Sequence, residues 1–123
     1  MSTALFRNAA AHADGFRDVD PLLLSQHLAD AAMIDVRESH ELTGELGHIR
    51  GVRHVPLATV ATAAQHWDRE EPVVMICRSG GRSANAARVL VQMGFTRVMN
   101  LRGGMIAWNA VNLPVDRTAH AHG

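Results

Sequence analysis

The stretch from Val73 to Met93, VVMICRSGGRSANAARVLVQM, constrains the fold more than any other part of the chain. Val73, Val74, Met75 and Ile76 are apolar without alternation, the pattern of a strand covered on both faces in a parallel sheet. Arg78, Ser79, Gly80 and Gly81 extend neither a strand nor a helix well, and from Arg82 onward Ala86, Val89, Leu90 and Met93 recur at helical spacing. A strand, a tight glycine loop and a helix therefore follow one another. In that geometry successive backbone N–H groups of the loop and first helical turn face one small concavity, which attracts anions and stabilises a thiolate. Cys77, at the strand's carboxyl end, is expected at its rim.

A free thiol is mostly protonated near neutral pH. At a helix N-terminus beside Arg78 and Arg82 its pKa is expected to fall by roughly one to several units, which makes it a nucleophile. An isolated cysteine closing an apolar strand is more often a plain core residue. Two arginines, two glycines and two serines directly after it are a poor way to continue a core, however, and suit an anion cradle. The candidate site is thus Cys77 with the loop Arg78, Ser79, Gly80, Gly81, Arg82 and Ser83.

Cys77-Arg78-Ser79-Gly80-Gly81-Arg82-Ser83 resembles the active-site loop of single-domain rhodaneses, sulfurtransferases that carry sulfur as a cysteine persulfide. Asp35-Val36-Arg37-Glu38, Gly47-His48-Ile49 and Gly103-Gly104-Met105-Ile106-Ala107-Trp108 followed by Leu113-Pro114-Val115 are similar to the family's other blocks, in the family's order. The resemblance covers roughly Phe16 to Val115. It implies ping-pong transfer: the Cys77 thiolate attacks the outer sulfur of a donor such as thiosulfate, sulfite leaves, and an acceptor, cyanide or a cellular thiol, removes the sulfur. Arg78 and Arg82 are then expected to bind the donor's oxyanion, with Ser79 and Ser83 hydroxyls as further donors. The expected partners are the small-molecule sulfur donor and a thiophilic acceptor; the reading includes no metal and no cofactor.

At 123 residues the chain suits one domain. Its 47% hydrophobic content is that of a globular protein rather than a disordered one. No apolar run approaches the roughly 20 residues needed to span a bilayer, and the first residues, MSTALFRNAAAHADG, lack the apolar core of a secretory signal; a cytoplasmic protein with no membrane partner is expected. The single cysteine leaves no internal disulfide and no resolving thiol, so a sulfur accepted by Cys77 must leave to an external nucleophile. The net charge is zero and aromatic residues make up only 4%, which argues against nucleic acid as the main partner; all 12 basic residues are Arg, whose planar bidentate contacts fit recognition of a charged oxo-acid in the loop. No helix face clearly spares an apolar stripe, so a monomer is expected.

Residues 1–15 read as a partly ordered extension that Leu5 and Phe6 pin to the body, residues 16–115 as the rhodanese-like domain and residues 116–123 as a flexible tail containing His120 and His122. Phe16 to Val19 suits a short edge strand. Asp20-Pro21 opens a helix running to about Ala29, with Leu22, Leu23, His27 and Leu28 close to one face. Ala32 to Val36 and Val52 to Val55 read as strands, Pro56 to about Ala64 as a helix, Asp68 to Glu71 as a solvated turn and Phe95 to Leu101 as the last strand. Strands alternating with helices specify an α/β fold, a parallel sheet with helices on both faces; the resemblance implies five strands. Asp35 and Arg37 end a strand and are expected near the edge that carries Cys77, as an ion pair or loop anchor before a pocket role. His48 lacks neighbours at metal-ligand spacing and reads as a structural hydrogen-bonding residue. Arg50 stands where the family usually has proline, in a segment of unusual length before Gly47, and either adds charge to the pocket wall or faces solvent.

Two other functions fit parts of the pattern. Cysteine-based phosphatases and arsenate reductases resemble the loop but use Cys-x5-Arg, whereas Arg82 makes Cys-x4-Arg, a shorter ring that suits one sulfur better than a phosphoryl group. A catalytically idle rhodanese-like binding module usually loses the cysteine or its loop, and both are present. A redox relay lacks its second thiol.

Overall fold

The computed structural model describes residues 4–119, so the expectation for His120 and His122 lies outside the described residues. In chain order the elements are α1 (Ala4–Asn8), β1 (Ala10–Ala11), β2 (Arg17–Val19), α2 (Pro21–Ser25), β3 (Ala32–Asp35), α3 (Ser39–Leu42), β4 (Arg53–His54), α4 (Val60–Ala64), β5 (Val73–Ile76), α5 (Gly81–Gln92), β6 (Val98–Leu101) and α6 (Gly104–Ala110). Single 3-10 turns at Leu28–Asp30 and Leu57–Thr59 follow α2 and precede α4. Among the described residues no helix is long and apolar enough to cross a membrane.

The sheet order is β1-β2-β6-β5-β3-β4. From β2 to β4 every neighbour is parallel, giving the five expected strands with β5 in the middle. The sixth strand is the correction: β1 pairs antiparallel with β2, Ala10 opposite Asp18 and Ala11 opposite Arg17. Phe16 to Val19 is therefore not an edge, because the residues before it turn back to cover it.

The parity of β5 sorts the core into two layers. Val74 and Ile76 face a layer with Val19, Leu24, Met99, Leu101, Met105 and Trp108, while Val73, Met75 and Cys77 face Ile34, Val60, Ala86, Ala87 and Leu90. Helices thus cover both faces, and Cys77 points to the α5 side. Two local expectations change. The helix opened by Pro21 ends at Ser25, and Leu24 is its buried residue, while Leu22 is 54% exposed and Leu28 39%. So short a helix buries Leu24 and half-buries Leu23 against the same layer rather than presenting a full stripe. Arg69 is no solvated turn residue: its guanidinium lies 4.8 Å from the Phe95 ring centroid and donates to the carbonyls of Met93, Ala64 and Trp67.

The outer segments of the described residues are tied to this body. Leu5 is buried in the first layer, and the Arg17 guanidinium donates to the Phe6 carbonyl at 2.8 Å and stacks on the Phe6 ring. At the other end, His48 and Asp116 exchange two backbone hydrogen bonds of 2.8 Å, so residue 116 is held in a β-bridge.

Candidate functional site

β5 ends at Ile76, Gly80 takes a left-handed conformation (φ 104°) and caps α5, and the chain between them wraps the Cys77 sulfur. A positive φ at Gly80 is what lets a four-residue connection turn from strand to helix without clash. It also aims the Gly80 N–H at Cys77 Sγ, 3.0 Å away. Ser83, in the first turn of α5, sets its hydroxyl 3.2 Å from the same sulfur. Cys77 is only 1% exposed, so the sulfur lies below the loop rather than at its rim.

Burial by itself pushes the Cys77 thiol up, because a thiolate loses hydration. The Ser83 hydroxyl and the backbone N–H groups of Ser83, Gly80 and Ser79 act against it, and the balance leaves the pKa below the ordinary 9.0. The loop N–H groups thus act as the sequence suggests, and the Ser83 hydroxyl joins them. Arg82 is already engaged: it forms a fork with the Glu41 carboxylate, both N–H···O distances 2.8 Å. Glu41 also accepts the Glu38 N–H at 2.8 Å, and its pKa drops to about 2 through Arg82 first, against the opposing effect of burial. The expectation that Arg82 binds a donor oxyanion must accommodate that pairing. The Arg78 side chain is exposed and makes no hydrogen bond or ion pair among the described residues.

Asp35 and Arg37 form the expected buried pair, with Arg37 Nε and Nη2 donating to the two carboxylate oxygens at 3.0 and 2.9 Å. Arg37 Nη2 also reaches the Gly47 carbonyl at 2.7 Å. Asp35 is in register with Ile76, so its side chain leaves the sheet on the face opposite Cys77. The pair anchors the loop after α3. His48 is fully buried, its Nδ1 donating to the Leu42 carbonyl at 2.8 Å. Arg50 is 88% exposed and 3.7 Å from the Asp116 carboxylate. Among the described residues no cluster of three or more His, Cys, Asp or Glu is placed to hold a metal ion.

Two contributors escaped the sequence reading. Asn100, buried in β6, accepts the Ser83 hydroxyl on Oδ1 at 2.5 Å and donates from Nδ2 to the Gly80 carbonyl at 3.3 Å. The signal was available: a lone amide near the carboxyl end of the apolar run Val98 to Leu101. The second is the start of α6, where the N–H groups of Met105 and Ile106 donate to the carbonyls of Cys77 (2.9 Å) and Arg78 (3.0 Å). Gly104 must be glycine there, since a Cβ would lie 2.6 Å from the Cys77 and Arg78 backbones.

The Rhodanese-like domain family matches residues 20–111. A sulfurtransferase of Allochromatium vinosum is 37% identical over 80% of this chain and 92% of its own length. Thiosulfate sulfurtransferase GlpE of Pseudomonas aeruginosa is 32% identical over 86% of this chain and 94% of its own. Among solved structures, a rhodanese-related protein from Thermoplasma volcanium superposes with a TM-score of 0.76 at 26% identity, covering 84% of this chain and all of that one. With most of its length matched and its parallel sheet delivering a loop-wrapped cysteine at the centre, this chain belongs to the Rhodanese-like domain family.

Proposed function

We propose that the protein is a sulfurtransferase that carries sulfane sulfur as a Cys77 persulfide, taking it from thiosulfate or a related persulfide donor and passing it to cyanide or a cellular thiol. The observation that carries this reading is the set of donors around Sγ, the Gly80 N–H and the Ser83 hydroxyl, reinforced by the lowered thiol pKa. Such a set stabilises a thiolate before attack and the anionic persulfide after it. Relatives named as sulfurtransferases support the same chemistry.

In the first half-reaction the Cys77 thiolate attacks the outer sulfur of thiosulfate, the S–S bond of the donor breaks, and sulfite leaves with the electron pair. Arg78, uncommitted and adjacent, is the cation that meets the donor. In the second half-reaction a thiolate or cyanide takes the outer sulfur and Sγ departs as thiolate. The reading places a monomer in the cytoplasm.

Donor treatment followed by intact-mass measurement is expected to add one sulfur to the wild type and none to Cys77→Ser. An added sulfur on the variant excludes the assignment. Assaying phosphate release beside sulfite release settles the phosphatase alternative, which the Cys-x4-Arg spacing disfavours.

A further inference from the structure

An open pocket of about 230 Å³ lies beside the loop, lined by Arg78, the residue after the nucleophile, and by Gly44, Glu45 and Leu46. Two other charged residues in its lining are already neutralised: Arg37 by Asp35 and Glu41 by Arg82. Arg78 and Glu45 are not. Neither side chain forms a hydrogen bond or ion pair among the described residues, so a free guanidinium and a free carboxylate share the pocket, with the His40 imidazole also in its lining.

The loop that presents Glu45 is held firmly from three sides. Arg37 donates to the carbonyls of Glu41 (3.4 Å) and Gly47 (2.7 Å), and Asn109 Nδ2 donates to the Leu46 carbonyl at 3.1 Å. Arg117 donates to the Glu45 carbonyl itself, from Nε at 3.0 Å and Nη2 at 2.8 Å. A carboxylate on a fixed backbone costs less ordering when a ligand engages it. The pocket is also small beside the ~300–1,000 Å³ common for ligand clefts, which suits a molecule of amino-acid size.

We propose that this pocket is the acceptor subsite and that it takes a small zwitterionic thiol, its carboxylate on Arg78 and its ammonium group on Glu45. The proposal rests on the persulfide reading above. A site built only for a doubly negative ion calls for cations, whereas this one offers a charge of each sign. The acceptor's thiolate attacks the outer sulfur of the Cys77 persulfide; a new S–S bond forms as the bond to Sγ breaks, and Sγ keeps the electron pair as thiolate. The proton of the acceptor thiol has gone to solvent beforehand, and no oxidant or reductant is consumed.

The test separates loading from discharge. Cys77 is loaded with thiosulfate, loading is verified by intact mass, and discharge rates are measured with cysteine, 3-mercaptopropionate and cysteamine at equal thiolate concentration. Cysteine is expected to exceed each of the one-charge thiols by about tenfold, the effect of about 1.4 kcal/mol. In Glu45→Gln the cysteine-to-mercaptopropionate ratio is expected to fall toward one, and Glu45→Asp to recover part of it, with unchanged melting temperatures showing that both variants fold. Efficient loading with equal discharge by all three thiols, or a ratio that survives Glu45→Gln, overturns the subsite. Failure to load overturns the persulfide reading and the subsite with it.

Discussion

Ser83 has one hydroxyl proton and three acceptors within reach, Cys77 Sγ, the Gly80 carbonyl and Asn100 Oδ1. The shortest of these contacts, at 2.5 Å, goes to Asn100, so the amide positions the hydroxyl whose other neighbour is the Cys77 sulfur. Because the folded protein lowers the Cys77 pKa below 9.0, the thiolate fraction at neutral pH exceeds that of an ordinary cysteine. Alkylation by iodoacetamide followed against pH is expected to show its midpoint below that value. Ser83→Ala removes a lowering contribution while burial still raises the pKa, so the midpoint moves up and persulfide formation at neutral pH slows. Asn100→Leu removes the acceptor that competes with Cys77 Sγ for the single Ser83 proton, so it is expected to shift the midpoint the other way, downward. A midpoint that ignores both changes removes the hydrogen-bond account of the thiolate.

Among the elements, α5 and α6 meet β5 with opposite tasks. The start of α5 turns N–H groups toward the sulfur, while the start of α6 ties down the carbonyls of Cys77 and Arg78 behind it. The glycines of the two junctions are therefore not equivalent. At Gly104 a methyl group meets backbone at 2.6 Å and the φ is +60°, so Gly104→Ala is expected to cost about 2–4 kcal/mol in chemical denaturation and to distort the loop. At Gly81 a Cβ meets nothing within 4 Å and the backbone is helical, so Gly81→Ala is expected to stay within about 1 kcal/mol of wild type. Two neighbouring glycine pairs look alike in the sequence and differ in what stands opposite them.

For the whole molecule, stability depends on contacts that join distant segments. Leu5, 1% exposed, fills a place in the first core layer, and Leu5→Ala is expected to cost about 2–5 kcal/mol, read from denaturant midpoints. Acid has a defined target in Glu41, which links α3 to the first turn of α5. Its folded pKa of about 2 lies below the ordinary 4.5, so its contribution is complete above about pH 4.5 and is lost as pH falls toward 2. Glu41→Gln is expected to lower stability at pH 7 and to flatten this part of the acid-unfolding profile. Unchanged steepness between those pH values shows that the pair adds nothing to folding.

The sequence by itself determined the central βα unit and the parallel sheet and singled out Cys77 as the candidate nucleophile, because an unbroken apolar run, two glycines and a helical repeat are local signals that do not need neighbours. It also placed Asp35 and Arg37 as a pair, since two residues at a strand end are close whatever surrounds them. Tertiary structure decided which arginine is free. Glu41 lies 41 residues before Arg82, and nothing in either neighbourhood announces the fork that α3 and α5 make possible. The same holds for Asn100 beneath Ser83 and for the antiparallel β1. Periodicity tells a side chain which face it occupies, but only the closed sheet and its packed helices determine what waits on that face.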